Sequence, residues 1–193
     1  MFKDIDLKGH TVIVRVDFNV PFDENMKVSD DTRIKGAIPT IKELIDRKAK
    51  VILMSHLGRP LTDLNEDGSV KKKYSLVHVV DALKNNLGME VTFIETPVTN
   101  PSISKEISES SIKNVILLEN TRYYKGEEKG DEELAKTMAS LADFYVNDAF
   151  GAAHREHAST ATIARQFDPT HKSFGLLMDK EVSNISKVLG DIN

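Results

Sequence analysis

Arginines and small polar residues recur in this chain where short apolar runs stop. Val12-Ile13-Val14-Arg15-Val16 leads into Asp17-Phe18-Asn19-Val20-Pro21, and Val51–Met54 leads into Ser55-His56-Leu57-Gly58-Arg59-Pro60. Val115–Leu118 leads into Glu119-Asn120-Thr121-Arg122, and Phe144-Tyr145-Val146 leads into Asn147-Asp148 and on to His154-Arg155-Glu156-His157. Of 26 basic residues only seven are arginine; Arg59, Arg122 and Arg155 follow these runs, and Arg33 opens a helical pattern. A guanidinium fork grips carboxylate or phosphate bidentately, whereas lysine acts as a point charge. In an open parallel sheet, ligands bind in the crevice beyond the carboxyl ends of the strands. The set therefore predicts one shared pocket for an anion. Taken singly, each arginine could equally anchor a loop through Asp17, Asp31 or Glu119.

Other residues around these runs narrow the chemistry. Asp17 and Asn19 flank Phe18 in a turn pinned by Pro21, which suits a pair that orients a hydroxyl better than a general base. His56 sits in the turn with Arg59, where contact with a ligand is favoured over a structural role. Arg33 places a cation in a first helical turn, opposing the macrodipole by roughly 0.3–1 kcal/mol, with Asp30 and Asp31 to offset it; a locally unfavourable charge points to function. His154 and His157 are three apart and do not form the H-E-x-x-H pattern of a zinc helix, so a metal site is disfavoured. Neither G-x-G-x-x-G nor G-x-x-x-x-G-K-[ST] is present, so nothing here cradles a nucleotide with backbone amides. The absence of G-x-S-x-G removes the serine-hydrolase reading.

These residues need strands to carry them. The apolar runs at 12–16, 51–54, 91–94, 115–118 and 144–146 are short, rich in β-branched residues and scarcely alternating, as in strands buried on both faces. Helical spacing lies between them: Ile34, Ala37, Ile38, Ile41, Leu44 and Ile45 after Asp30-Asp31-Thr32, then Leu76 to Leu87 from a Ser75 cap to a Gly88 stop. Asp131-Glu132-Glu133 opens a further helix, and residues 100–112 give a weaker one diluted by Pro101 and serines. Alternating strands and helices predict an α/β fold, a three-layer, doubly wound, Rossmann-like parallel sheet of about six strands. Residues 61–74 read as a surface loop whose Lys71-Lys72-Lys73 serves solubility. Val182, Ile185, Val188 and Leu189 predict an amphipathic helix over 181–189, either packed on its own domain or a connector to a longer protein.

Composition sets the outer limits. A length of 193 residues fits one domain with at most a short appendage. A net charge of −4 argues against a nucleic-acid partner and requires positive charge to be concentrated locally. No apolar stretch approaches the ~20 residues that span a membrane, and the N-terminus lacks the regions of a signal peptide. The chain has no cysteine, which removes disulfides and thiol chemistry. A cytoplasmic protein is expected.

Read together, Arg15-Val16-Asp17-Phe18-Asn19-Val20-Pro21, Asp31-Thr32-Arg33-Ile34, Ser55-His56-Leu57-Gly58-Arg59-Pro60, Leu117-Leu118-Glu119-Asn120-Thr121-Arg122-Tyr123-Tyr124 and Val146-Asn147-Asp148-Ala149-Phe150-Gly151-Ala152-Ala153-His154-Arg155 resemble phosphoglycerate kinase, in order and through essentially the whole chain. The resemblance implies the N-terminal half of a two-domain enzyme: a substrate-binding domain over 1–179 and a connector helix over 180–193 leading to a nucleotide-binding domain not in this chain. It implies a glycolytic kinase that exchanges a phosphoryl group between 1,3-bisphosphoglycerate and ADP, with Mg-ADP or Mg-ATP held by the C-terminal domain and no cofactor or metal on this chain. By motif, Arg33 is the catalytic arginine. Asp17, Phe18, Asn19, His56, Leu57, Gly58, Arg59, Arg122, His154 and Arg155 complete the substrate site. The partners implied are 3-phosphoglycerate, 1,3-bisphosphoglycerate and the second domain, in a monomer. Two positions depart from the family pattern: Thr121, where leucine or methionine is common, and Glu156, where alanine is. A self-sufficient anion-binding regulatory module is the alternative.

Overall fold

The computed structural model describes residues 1–2, 5–112 and 115–190. Six parallel strands, β1 (Thr11–Arg15), β2 (Lys50–Met54), β3 (Val91–Ile94), β4 (Val115–Leu118), β5 (Phe144–Asn147) and β6 (Lys172–Phe174), form one sheet in the order β3-β4-β2-β1-β5-β6. β1 is central: Val12 pairs with Val51 on one side and with Phe144 on the other. The chain runs outward through β2, returns through β4, and crosses over to lay β5 and β6 beyond β1. The doubly wound α/β fold is as expected.

The alternation of strand side chains builds two cores. Val12, Val14, Val51 and Leu53 face α1 (Thr32–Asp46) and α2 (Val80–Leu87), while Ile13, Ile52, Met54, Ile116 and Leu118 face α3 (Ile103–Glu109) and α4 (Glu132–Ala139). Packing rather than capping holds α1, since no side chain caps it and Asp30 instead receives the Thr32 N–H. Ile34, Ile41 and Leu44 are fully buried there, each contributing about 1.5–3 kcal/mol. Asp131 caps α4 by accepting from Leu134 N–H at 2.8 Å.

Several boundaries differ from the expectation. The Ser75-capped segment begins as a 3₁₀ turn over Leu76–Val79 before α2, which Gly88 ends in the left-handed region at φ 70°. The run at 144–146 extends through Asn147, and β6 had no apolar run to announce it, because Lys172-Ser173-Phe174 is an edge strand with one polar face. The last helix, α5 (Leu176–Gly190), starts earlier than the 181–189 pattern. Its first turn is anchored on α1: Leu176 N–H donates to Thr40 Oγ1 at 2.9 Å, and Gly36 leaves room for Leu177. The connector expected over 180–193 thus continues a helix whose first turn is anchored on the domain; from Val182 to Lys187 its side chains are exposed, and 191–193 lie outside the described residues. In loop 61–74, Lys71 and Lys73 bond Asp63, tying the loop to itself.

Candidate functional site

Beyond the carboxyl ends of the four central strands lies a cleft of about 290 Å³. Asp17 and Asn19 enter it from β1, His56, Gly58 and Arg59 from β2, Arg122 from β4, Gly151 and Arg155 from β5, and Arg33 from the first turn of α1. The four arginines that follow strands or open a helix thus meet at one place. A larger cavity, about 630 Å³, lies elsewhere, between Tyr145, Ala164 and Phe174; it carries Lys172 but no converging arginines, so chemistry favours the smaller one.

Each polar group is set by a specific bond. Asn19 Oδ1 accepts the Gly58 N–H at 2.9 Å, leaving its amide nitrogen for a ligand. Asp17 Oδ2 accepts from Arg33 Nη1 at 2.7 Å, and Oδ1 accepts the Asn19 N–H at 3.2 Å. The remaining lone pairs of Asp17 can take a ligand hydroxyl. Arg122 is buried; its Nη1 donates to the Gly58 carbonyl at 2.8 Å and its Nη2 reaches Glu128 at 3.3 Å, while Nε has no partner among the described residues. Arg59 and Arg155 form no ion pair among the described residues, which leaves both forks for an anion. Gly58 adopts φ 59°, and any Cβ there would meet the Tyr74 ring at 2.6 Å, so only glycine lets this turn close.

His56 is neutral in this setting. Burial, reinforced by the charges of Arg15, Arg122 and Arg155, holds its pKa down to about 2. It therefore acts as a hydrogen-bonding group, not a cation. The same burial lowers the Arg122 pKa.

The remaining predicted residues lie apart from the cleft lining. Phe18 is fully buried in the core, and its N–H donates to Ser55 Oγ at 2.8 Å. Leu57 is buried, its N–H and carbonyl both bound by the Asn120 side chain. Both shape the turns that carry their neighbours. His154 is exposed and does not line the cleft. His157 is buried and caps a π-helical turn, Ala158–Thr162, so the two histidines do not work as a pair. Among the described residues no cluster of three or more His, Asp or Glu could hold a metal ion. Glu156 turns to Arg165 at 3.0 Å and does not line the cleft, so its charge is partnered away from the site.

Loop anchoring accounts for other carboxylates. Glu119 binds Ser75 Oγ, Leu76 N–H and Asn120 N–H rather than an arginine, and Asp31 pairs with Lys35. Two site features escaped the sequence. Gly151 lines the cleft, where a Cβ would sit 3.0 Å from Asp17 Oδ2, and nothing in its backbone marks it in advance. Arg15, at the end of β1, is buried behind the cleft and bonds His56 Nδ1 at 3.0 Å.

The family model for phosphoglycerate kinase matches residues 2–193. A phosphoglycerate kinase of Pseudothermotoga lettingae is 51% identical over 186 residues, covering 96% of this chain and 44% of that relative. The cytosolic phosphoglycerate kinase of Nicotiana tabacum is 50% identical over 180 residues, covering 93% and 42%. The solved phosphoglycerate kinase from Coxiella burnetii superposes with a TM-score of 0.80 at 36% identity, over 95% of this chain and 43% of that one. The chain spans less than half the length of these relatives. The match of one family model to almost every residue, with relatives half identical across the same span, establishes that this chain belongs to the phosphoglycerate kinase family.

Proposed function

We propose that this chain is the substrate-holding half of a phosphoglycerate kinase, binding 3-phosphoglycerate or 1,3-bisphosphoglycerate for reversible phosphoryl transfer with ADP and ATP in glycolysis. The observation that carries the reading is the convergence of Arg33, Arg59, Arg122 and Arg155 on one cleft that also holds Asp17, Asn19 and a neutral His56. Phosphoglycerate offers a phosphate and a carboxylate with a hydroxyl between them. Arginine forks suit the two anionic ends, and Asp17 with Asn19 suits the hydroxyl and carboxyl end.

When ATP is consumed, a carboxylate oxygen bonds the γ-phosphorus as the bond from that phosphorus to the ADP oxygen breaks, and ADP leaves. Such transfer depends on positioning and on neutralising charge. Arg33, half exposed at the cleft rim and already paired with Asp17, is assigned to the transferring group; Arg59, Arg122 and Arg155 hold the ground state. Mg-nucleotide belongs to a second domain of the longer polypeptide, and the chain alone is inactive. The reading is of a monomer in the cytoplasm; for the location, it is supported by a relative named as cytosolic.

Calorimetry tests the binding half. 3-Phosphoglycerate should release heat on the isolated chain, less so as salt rises, because partly exposed charges are screened. Arg59→Ala, an exposed position outside the core, should remove most of that heat. Equal heats from the two proteins would remove the arginine cleft from the reading. A coupled assay showing sustained turnover by the purified chain would overturn the two-domain assignment.

A further inference from the structure

A buried relay runs behind the cleft. Glu127, fully buried, accepts the Ser159 N–H at 3.0 Å and also the Ser159 hydroxyl. Ser159 Oγ in turn accepts from Arg15 Nε at 2.9 Å, Arg15 Nη1 donates to the Val16 carbonyl, and Arg15 Nη2 meets His56 Nδ1 at 3.0 Å. Every direction in this chain is forced. A carboxylate without a proton only accepts, so the serine hydrogen points at Glu127; the serine lone pair is then free for Arg15. Arginine has no acceptor, so His56 Nδ1 must be unprotonated and the ring hydrogen must sit on Nε2. His56 Nε2 makes no hydrogen bond among the described residues, and His56 lines the cleft. Neither Glu127 nor Ser159 lines it.

Buried charge makes the arrangement sensitive. Burial lowers the Arg15 pKa, and the negative charge of Glu127 is the largest influence opposing that effect, so the carboxylate favours the charged guanidinium that Ser159, the Val16 carbonyl and His56 surround. Without the carboxylate, the serine hydrogen loses its acceptor, so the direction of the Oγ lone pair that receives Arg15 Nε is no longer fixed and the guanidinium is held less firmly against His56.

We propose that Glu127 and Ser159 are positioning residues: acting through Arg15, they hold His56 as a neutral ring with its proton on Nε2, presenting one fixed hydrogen-bond donor to the anion in the cleft. The binding consequence rests on the phosphoglycerate reading above, whereas the state of the ring does not. A neutral donor at this place adds no further cation to the arginine cluster, so it orients an oxygen instead of adding attraction.

Nitrogen-15 NMR of the histidine side chains in the full chain tests this, with the His56 signals assigned by their loss in His56→Ala. In the wild type, Nδ1 should stay unprotonated and Nε2 protonated from about pH 5 to 8, the range in which an unperturbed imidazole changes its charge. A His56 that titrates in that range, or that carries its proton on Nδ1, overturns the proposal without any variant being made. In Glu127→Gln and Ser159→Ala, the two His56 resonances should move toward each other as the second tautomer is populated. The 3-phosphoglycerate Kd should rise about fivefold, the weight of one net hydrogen bond. Ser159→Ala made in the His56→Ala background should add no further loss, because its effect passes through that ring. Folded variants with an unaltered ring, or an undiminished loss in the His56→Ala background, refute the positioning role. If the wild type shows the expected ring but no heat with 3-phosphoglycerate, the substrate reading fails while the relay stands.

Discussion

Thr121 offers a test of how the site is built, separate from catalysis. It opens the 3₁₀ turn Thr121–Tyr123 that swings Arg122 into the cleft, and its N–H donates to the Ser55 carbonyl at 3.0 Å. The side chain is 2% exposed, and its hydroxyl has no partner among the described residues. A buried hydroxyl without a bond costs about 1–3 kcal/mol. Thr121→Val replaces it with a methyl of the same shape on an equally β-branched stem, so rotamer entropy and packing change little. The backbone bond to Ser55 is unaffected. The expected gain is about 1–2 kcal/mol, which for a chain of this size raises Tm by roughly 2–8 °C. In urea the midpoint should rise with an unchanged slope, since the surface exposed on unfolding is the same. Binding of 3-phosphoglycerate should be unaltered, because Arg122 is oriented by Asn120 Oδ1 and the Gly58 carbonyl rather than by Thr121. A midpoint that is unchanged or lower would show that the hydroxyl is satisfied in solution and would refute the cost assigned to it.

Two further outcomes follow from the geometry. In enzyme reassembled with its second domain, Arg33→Ala should lower kcat by up to about 10³-fold with a smaller change in KM, and Arg33→Lys should recover only part of this; a raised KM with intact kcat would make Arg33 another anchor. Asp148 is buried at the foot of α5, where burial pushes its pKa up to about 6 from 3.8. A raised carboxyl pKa means the folded form holds the proton more tightly. The charge therefore costs nothing below about pH 4 and up to about 3 kcal/mol above pH 6. Asp148→Asn should remove that loss of stability between pH 4 and 7, measured by denaturation at each pH; parallel pH profiles for the two proteins would contradict the assignment.

The strands were legible because parallel strands buried on both faces must be short apolar runs, and the arginines were legible because they stood out against a lysine-rich chain. What the sequence hid is direction. Phe18 and Leu57 stand beside cleft residues, but in a turn the two-residue alternation lapses, and both side chains fold back into the core. Arg15 continues an apolar run and is buried like its neighbours, which no count of charges reveals. β6 was silent because Lys172-Ser173-Phe174 is an exposed edge whose pairing is fixed by β5 rather than by its own hydrophobicity. The docking of α5 likewise depends on Thr40 and Gly36, far away in sequence.

The central place of β1 also sets an order of assembly. One edge of β1 is closed early by β2, through pairs such as Val12 with Val51, while the other waits for Phe144 to be made. At 5–20 residues per second, the ribosome needs roughly 5–20 s to advance from residue 51 to residue 144. Until β5 has been made, the side of Val12, Ile13 and Val14 that it covers in the finished sheet has no partner within the chain, and an uncovered strand edge is the kind that recruits other chains. Arg155 reaches the cleft only after that edge has closed, because it lies beyond β5. A chain that ends before β5 therefore lacks both the cover for that edge and the groups, Gly151 and Arg155, that complete the anion site.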